Sequence, residues 1–193
     1  MKKYKRYYQI VIMTGRVEII IGCMFSGKST ELLRRCNRYR AIDKNVLLIN
    51  HTNDIRTNNS VETHNHQVSS ALKVSSLNEL YSKNKEDFEN ADVIGIDEAQ
   101  FFDDLRTFLL FVESYDKIVI IAGLDGDFNR NPFGKIMECI PLCDEVVKLT
   151  AMDMMDKDGT PAIFSKRTAE GDETVMVGAN DKYIAVSRKN YLA

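Results

Sequence analysis

The sequence lacks tryptophan, contains only three prolines, and has no low-complexity tract. No stretch reaches the roughly 18 consecutive apolar residues of a membrane-spanning helix, so no membrane partner is expected. Hydrophobic residues make up 44% of the chain and charged residues 28%, which is typical of a globular protein and not of a disordered or fibrous one. With 193 residues, the chain is long enough to bury one main core, with at most a small appendage.

Neither sign of charge is in large excess, since 26 Lys and Arg residues stand against 28 Asp and Glu residues, for a formal net charge of -2. Such a chain has no general attraction for phosphate polymers, so nucleic-acid binding is not expected and any anion must be bound locally. Residues 1–15 combine a basic cluster with a short apolar run but have no small-residue cleavage site. We therefore predict an N-terminal extension there and a cytoplasmic protein, in the host cytoplasm if the chain is viral.

Residues that bind metals or form disulfides are few and irregularly spaced. No C-x2-C pair occurs among the four cysteines, which are Cys23, Cys36, Cys139 and Cys143. We interpret them as small apolar side chains in a reducing compartment. The histidines are His51, His64 and His66. Because no third or fourth ligand lies near them in the sequence, we interpret them as solvated loop residues.

Short apolar runs alternate with helical patterns from residue 17 to about residue 150. The apolar runs lie at 17–21, 46–49, 72–74, 93–96, 118–122 and 146–149, and apolar residues at helical spacing lie in 29–39, 77–88 and 101–112. Several runs are apolar at nearly every position, as strands buried on both faces require. This order predicts an α/β domain with a mostly parallel sheet flanked by helices.

The composition also divides the chain. Residues 50–70 are rich in Asn, Thr, Ser and His, and we predict a long polar loop there. After residue 150 apolar side chains become few, and two short strands are predicted at 174–177 and 183–186. We therefore predict a main domain at 16–150 and a small C-terminal lobe at 151–193.

The strongest motif is G-x-x-x-x-G-K-S at residues 22–29, between a predicted strand and a predicted helix. In this pattern successive backbone N–H groups surround a phosphate, and the helix N-terminus adds its dipole. Lys28 then reaches the terminal phosphates and Ser29 ligates Mg²⁺. The sequence predicts ATP and Mg²⁺ as cofactors, with nucleotide contacts from Gly22, Met24, Phe25, Ser26, Gly27, Lys28, Ser29 and Thr30.

Two adjacent carboxylates follow the apolar run at 93–96. In P-loop proteins an acidic residue at the end of such a strand holds Mg²⁺, usually through water, and we assign this role to Asp97. Adjacent side chains of an extended chain point in opposite directions, so Glu98 can face another partner and accept a proton. The alternative is a solvated acidic pair at a strand end.

Two loops contribute further candidates. Arg56 is a candidate cation for the charge that develops during phosphoryl transfer, and Asp54 precedes it by two positions. Surface Asp and Arg residues in a loop are usually only solvated, so this pattern alone is weak. In the loop at 124–134, Phe128 and Phe133 either stack on a planar ligand or only anchor the loop to the core.

Together these motifs resemble the type II thymidine kinases, the cytosolic, bacterial and poxviral deoxythymidine kinases with a RecA-like fold. The resemblance covers residues 17–191. It rests on the phosphate loop at 22–29, D-I-R at 54–56, I-D-E-A-Q-F-F at 96–102 and G-L-D-G-D-F-N-R-N-P-F-G at 123–134. It implies a RecA-like P-loop domain and a C-terminal lobe whose lasso loop closes over thymidine. Cys23 stands where the family generally has proline, a change that we expect to be mild.

The resemblance also implies an activity, which is transfer of the γ-phosphate of ATP to the 5′-hydroxyl of thymidine. Glu98 would be the base, with Lys28 and Arg56 as catalytic cations. The implied thymidine contacts are Met24, Asp54, Glu98, Phe101, Leu124, Phe128, Phe133, Ser165, Gly178 and Tyr183. A homotetramer and feedback inhibition by dTTP are implied as well.

The main departure from the family concerns metal in the C-terminal lobe. Similar proteins usually carry two C-x2-C pairs, or close variants with histidine, that bind a structural zinc. The matching positions here are Asp153, Asp156, Ser187 and Asn190. Because none supplies the thiolate or imidazole of a closed zinc site, we predict no structural zinc. Packing, subunit contacts or a ligand must then stabilise the lobe.

Two alternatives of other classes stay open. A RecA-like P-loop NTPase that acts as a switch or motor would use Glu98 to activate water and would hydrolyse ATP without a nucleoside. A catalytically weak nucleotide sensor is the second alternative, prompted by the loss of the zinc ligands. Only the kinase hypothesis predicts that thymidine raises the thermal stability of the protein.

Overall fold

The computed structural model describes residues 15–54, 60–62, 68–168 and 182–193. The strands are β1 (Arg16–Gly22), β2 (Val46–His51), β3 (Ser60–Glu62), β4 (Val68–Ser70), β5 (Leu72–Val74), β6 (Val93–Ile96), β7 (Ile118–Leu124), β8 (Glu145–Leu149), β9 (Ala151–Met152), β10 (Pro161–Ala162), β11 (Phe164–Arg167) and β12 (Tyr183–Val186). The α-helices are α1 (Lys28–Arg40), α2 (Glu79–Ser82), α3 (Lys85–Asn90), α4 (Leu105–Val112) and α5 (Arg188–Leu192). Two 3-10 helices span Ala99–Phe101 and Ile136–Leu142.

A six-stranded parallel sheet with the order β5-β2-β6-β7-β1-β8 is the centre of the main domain. Each of the six predicted apolar runs forms one of these strands, which confirms the predicted α/β class. In the register, Gly22 of β1 lies opposite Leu124 of β7, and Ile96 of β6 lies opposite Ile121 of β7. The segments that leave these three strands therefore emerge at the same edge of the sheet.

Both faces of the sheet are covered, which explains the uninterrupted apolar runs. Successive residues of a strand point to opposite faces, and Ile19 and Ile20 of β1, both fully buried, belong to two different apolar clusters. Leu32 of α1 packs on the Ile20 side, whereas Phe88 of α3 and Phe108 of α4 pack on the Ile19 side. Burial of such side chains contributes about 1.5–3 kcal/mol each to folding.

The cysteines behave as core residues. All four are free, and Cys36 and Cys139 are fully buried in the two apolar clusters. Burial raises the pKa of Cys36 to about 12 and that of Cys139 to about 11, because the thiolate is poorly solvated there. Their interpretation as small apolar side chains is confirmed.

The prediction of a long polar loop at 50–70 is wrong in part. Strands β3 and β4 form an antiparallel pair with Ser60 opposite Ser70, and Val61 is fully buried in the cluster on the α1 side. A three-residue strand with one apolar anchor is too short to show an alternating pattern. His51 is also not solvated, since it ends β2 and is only 6% exposed. His64 and His66 lie outside the described residues.

In its described residues, the predicted C-terminal lobe contains two antiparallel strand pairs, β9 with β10 and β11 with β12, and then α5. The predicted strand at 183–186 is confirmed as β12. A small apolar cluster of Cys23, Ala151, Ala162 and Ala185 packs this lobe against the phosphate loop. The predicted strand at 174–177 and the lasso segment fall within residues 169–181, which the structure does not describe. Among the described helices, none has the length and apolar character to cross a membrane.

Candidate active site

The phosphate loop begins and ends with glycines that no other residue could replace without strain. A Cβ at Gly22 would lie 2.4 Å from the carbonyl oxygen of Leu149, so a side chain there would push the loop away from β8. Gly27 has a φ of 82°, in the left-handed region that favours glycine. Its carbonyl accepts the N–H of Glu31 at 2.9 Å and so begins α1. The N-terminus of this helix therefore faces the loop, as anion binding requires.

Two side chains of the phosphate loop make hydrogen bonds within the loop. The Ser26 hydroxyl and the Lys28 ammonium group both donate to the carbonyl oxygen of Cys23, at 2.8 Å and 2.7 Å. Burial lowers the pKa of Lys28, while the nearby carboxylates of Glu98 and then Asp97 act in the opposite direction. The ammonium group thus lies among the loop and two carboxylates, the position from which a P-loop lysine reaches terminal phosphates.

The chain turns between the two acidic residues that follow β6. Asp97 is 3% exposed, and its N–H still donates to the carbonyl oxygen of Ile49 at 2.9 Å. Glu98 has a φ of 51°, a left-handed conformation that reverses the chain and starts the 3-10 helix. The two residues are therefore separated by a turn and not by the alternation of an extended strand, and both carboxylates lie near enough to Lys28 to act on its pKa. Burial also excludes a solvated acidic pair for Asp97.

Gln100 joins the Glu98 carboxylate to β7. Its side chain is 3% exposed, its Nε2 donates to Glu98 Oε2 at 2.6 Å, and its Oε1 accepts the N–H of Leu124 at 2.9 Å. Leu124 is the last residue of β7 and begins the loop that carries Phe128 and Phe133. The carboxylate and the predicted nucleoside pocket are therefore connected through one buried amide.

Two of the rings predicted to contact thymidine pack against each other. Phe101 and Phe133 meet edge to face with their centroids 5.7 Å apart, and His51 lies 5.6 Å from Phe101. Phe101 and Phe133 are each only half-buried. Edge-to-face packing anchors the loop, and the exposed part of each ring leaves surface for a planar ligand. Anchoring of the loop and stacking on a ligand, the two roles that the sequence left open, are therefore compatible for Phe133.

The C-terminal lobe contacts the phosphate loop and the loop after β7. The Ser165 hydroxyl accepts the backbone N–H of Met24 at 2.9 Å, and the Tyr191 hydroxyl donates to the carbonyl oxygen of Phe128 at 2.8 Å. The Arg167 guanidinium lies 5.0 Å from the Phe128 ring centroid, and Tyr183 pairs with Arg167 across β11 and β12. A cavity of about 130 Å³ separates the lobe from the phosphate loop and the segment after β7.

Comparison with known proteins agrees with this geometry. The family model described as thymidine kinase matches residues 15–191. The chain belongs to the thymidine kinase family. The thymidine kinases of Rabbit fibroma virus (strain Kasza) and Vaccinia virus (strain Western Reserve) are each 43% identical over 178 residues, or 92% of this chain and 96% and 97% of those proteins. Thymidine kinase 1 of Dictyostelium discoideum is 40% identical over 184 residues, or 93% of this chain and 78% of that protein. This family membership confirms the resemblance inferred from the motifs and does not favour an NTPase switch or motor.

Of the two residues assigned from the family's D-x-R motif, the structure describes Asp54 but not Arg56. Asp54 is 6% exposed and accepts the Nδ2 group of Asn50 at 2.9 Å, so it is not a solvated loop residue. Arg56 lies outside the described residues, as does Gly178 of the lasso segment. Their roles stay predictions.

The positions that bind zinc in similar members of the family form a hydrogen-bonded cluster here. Both carboxylate oxygens of Asp153 accept hydrogen bonds, from the N–H groups of Met155 and Asp156 and from the N–H of Ser187 and the Nδ2 of Asn190, at 2.6–3.1 Å. Hydrogen bonds from Ser187, before all others, hold the pKa of Asp153 well below its ordinary value. Because N–H donors fill the centre of the cluster, these residues do not fit a zinc ion.

The two predicted Mg²⁺ ligands have the donor chemistry that this ion prefers. Ser29 lies in the first turn of α1 and Asp97 at the end of β6. A hydroxyl and a carboxylate are hard oxygen ligands, which suit Mg²⁺ when nucleotide phosphates and water complete its coordination.

Sequence reasoning missed several residues of this site. Gln100 lies within the motif recognised at 96–102, but nothing in the sequence around this glutamine indicates that its side chain is buried. Tyr191 lies near the C-terminal end of the sequence and contacts the loop at 124–134 only in the folded structure. Asp125 pairs with Lys148 at 2.6 Å, and a pair separated by so many residues has no local signal.

Proposed function

We propose that this protein transfers the γ-phosphate of ATP to the 5′-hydroxyl of thymidine, giving ADP and dTMP. The observation that carries this proposal is the common edge of the sheet. There the phosphate loop, the Glu98 carboxylate and the aromatic pocket meet, and Gln100 connects the last two.

The donor half of the site binds the nucleotide phosphates. The backbone N–H groups of residues 22–29, the N-terminus of α1 and the Lys28 ammonium group supply fixed positive charge where charge develops on the transferred phosphoryl group. Ser29 and Asp97 would hold Mg²⁺, and the ion would neutralise phosphate charge when bound. Thr30 and the loop residues Met24, Phe25 and Ser26 complete the proposed nucleotide contacts.

The acceptor half orients the nucleoside. In the proposed reaction the 5′-oxygen forms a bond to the γ-phosphorus while the bond from that phosphorus to the β,γ-bridging oxygen breaks. The proton of the 5′-hydroxyl passes to the Glu98 carboxylate, and ADP leaves. The proposed contacts of thymidine are Met24, Asp54, Phe101, Leu124, Phe128, Phe133, Ser165, Gly178 and Tyr183, with Arg56 as an additional cation near the transferred group.

Other properties of the proposed enzyme come from the family resemblance alone. These are a homotetramer, feedback inhibition by dTTP and a cytoplasmic location. A dTTP molecule carries both a thymidine group and a triphosphate, so both halves of the proposed site offer it contacts.

Steady-state kinetics on Glu98→Gln test the assignment of the base. General-base catalysis contributes typically ~10²–10⁴-fold, so we expect kcat to fall at least about 100-fold while the KM for thymidine changes little. Glu113→Gln, which changes an exposed residue after α4, is the matched control and should retain full activity. Near wild-type kcat in Glu98→Gln would exclude Glu98 as the base. Hydrolysis of ATP at an equal rate without thymidine would instead support an NTPase.

A further inference from the structure

We propose that Gln100 is a positioning residue that aligns the Glu98 carboxylate and anchors the start of the nucleoside pocket at Leu124. This inference rests on the proposed role of Glu98 as the base. It adds a coupling between the base and the nucleoside pocket, because one side chain contacts both Glu98 and Leu124.

The chemistry of the two partners determines how the Gln100 amide is oriented. The backbone nitrogen of Leu124 can only donate a hydrogen bond, so the atom 2.9 Å from it must be the amide oxygen. The amide nitrogen then faces the Glu98 carboxylate at 2.6 Å, where it donates to an ionised oxygen. The reverse orientation would place two donors together on one side and two acceptors together on the other.

Both ends of the Gln100 amide are hydrogen-bonded, and two glycines pack closely against this residue. A Cβ added at Gly123 would lie 2.7 Å from Gln100 Oε1, and a Cβ added at Gly134 would lie 1.9 Å from the backbone oxygen of Gln100. The loop that carries Phe128 and Phe133 therefore begins and ends directly against this residue. A buried amide confined in this way is a rigid support for the groups that it contacts.

Glu98 requires such a support because of its neighbours. The Lys28 ammonium group interacts with the Glu98 carboxylate electrostatically, and Glu98 follows directly from the turn at the end of β6. Without the amide of Gln100, Glu98 Oε2 could rotate toward Lys28 and away from a substrate hydroxyl. Gln100 therefore keeps the proton acceptor separate from the cation that binds phosphate.

Two variants separate the two contacts. Gln100→Met has a similar length but makes neither hydrogen bond, so kcat should fall at least about 10-fold and the KM for thymidine should rise about 10-fold. Gln100→Glu keeps an acceptor for Leu124 but places a second carboxylate against Glu98. Only when it is ionised does this carboxylate repel Glu98 instead of donating to it, so the kinetics of all variants are measured at pH 9, well above the ordinary pKa of a carboxyl group. In this variant kcat should fall by a similar factor while the KM for thymidine stays within about twofold of wild type.

The KM for ATP should not change in either variant, since neither touches the phosphate loop. A purely structural role would lower the melting temperature and change both kinetic parameters in the same way in both variants, which would overturn the proposal. Wild-type kcat and KM in Gln100→Met would also overturn it. If Gln100→Met does not fold, Gln100→Glu alone decides, since the proposal requires a large loss of kcat with an unchanged KM.

The same variants in a Glu98→Gln background distinguish failure of this inference from failure of the proposed base. If Gln100 acts on kcat through Glu98, Gln100→Met should cause no further loss of kcat in that background, while its effect on the KM for thymidine persists. A full additional loss of kcat would show that Gln100 does not act through Glu98. Retained activity in Glu98→Gln alone would instead show that the assignment of the base is wrong.

Discussion

Replacing Gly134 with alanine should open the nucleoside pocket while leaving the phosphate loop intact. Gly134 has a φ of 61°, and an added Cβ would lie 1.9 Å from the backbone oxygen of Gln100. That oxygen belongs to the 3-10 helix and cannot rotate aside as a flexible side chain does. The segment that contains Phe133 must therefore move away from Phe101, by roughly 1.5 Å to reach an ordinary contact distance.

The expected loss of stability has two sources. A left-handed conformation costs an L-residue about 1–2 kcal/mol, and separating the Phe101 and Phe133 rings removes about 0.5–1.5 kcal/mol. Together they predict a loss of about 1.5–3.5 kcal/mol in the free energy of unfolding. For a domain of this size the melting temperature should fall by roughly 3–14 °C.

Gly159 offers a matched control. Its φ is 88°, but an added Cβ would meet nothing within 4 Å, so Gly159→Ala carries the backbone strain without the clash. Thermal denaturation should therefore show a smaller loss for Gly159→Ala, about 1–2 kcal/mol. Steady-state kinetics should show a KM for thymidine raised about 10-fold in Gly134→Ala alone, the equivalent of about 1.4 kcal/mol. Equal melting temperatures for the two variants, with a wild-type KM in both, would refute the tight packing of Gly134 on Gln100.

Two further predictions concern the C-terminal lobe. Tyr191→Phe removes the hydrogen bond to the Phe128 carbonyl but keeps the aromatic ring. The KM for thymidine should therefore rise several-fold while kcat does not change. An unchanged KM would contradict a role of Tyr191 in the nucleoside pocket. The folded state lowers the pKa of Asp153 from its ordinary 3.8, so the stability that this carboxylate supplies is present above about pH 4 and is lost as the pH falls below that value. Asp153→Asn should therefore have a lower melting temperature than wild type at pH 7, and its stability should fall less than that of wild type between pH 5 and pH 3. The control is Asp156→Asn, which loses a pair with the exposed Lys189. This control should behave as wild type in both measurements.

The prediction of the sheet succeeded because of burial on both faces. The run at 118–122, for example, is apolar at every position, since Ile120 faces one cluster and Ile121 the other. Strand β3 was missed because only Val61 of its three residues is apolar. His51 was misjudged for a related reason: its polar neighbours in the sequence suggested a loop, but its ring packs against Phe102 at 4.7 Å between centroids.

The local chemistry of this protein can be predicted from neighbouring residues in the chain. The glycines at 22 and 27, Lys28 and the helix that follows them are adjacent in the chain, so their spacing is sufficient to predict a phosphate loop.

The strand order and register, in contrast, depend on pairings between distant segments. Apolar periodicity indicates that a strand is buried but does not identify the strand beside it. The pairing of β6 with β7 is therefore known from the three-dimensional structure alone, and it brings Gln100 between Glu98 and Leu124. The same holds for Asp153, whose partners Ser187 and Asn190 are more than thirty positions away. A hydrogen bond between distant residues leaves no periodic trace in a sequence, so the support of the site and of the lobe could not be predicted.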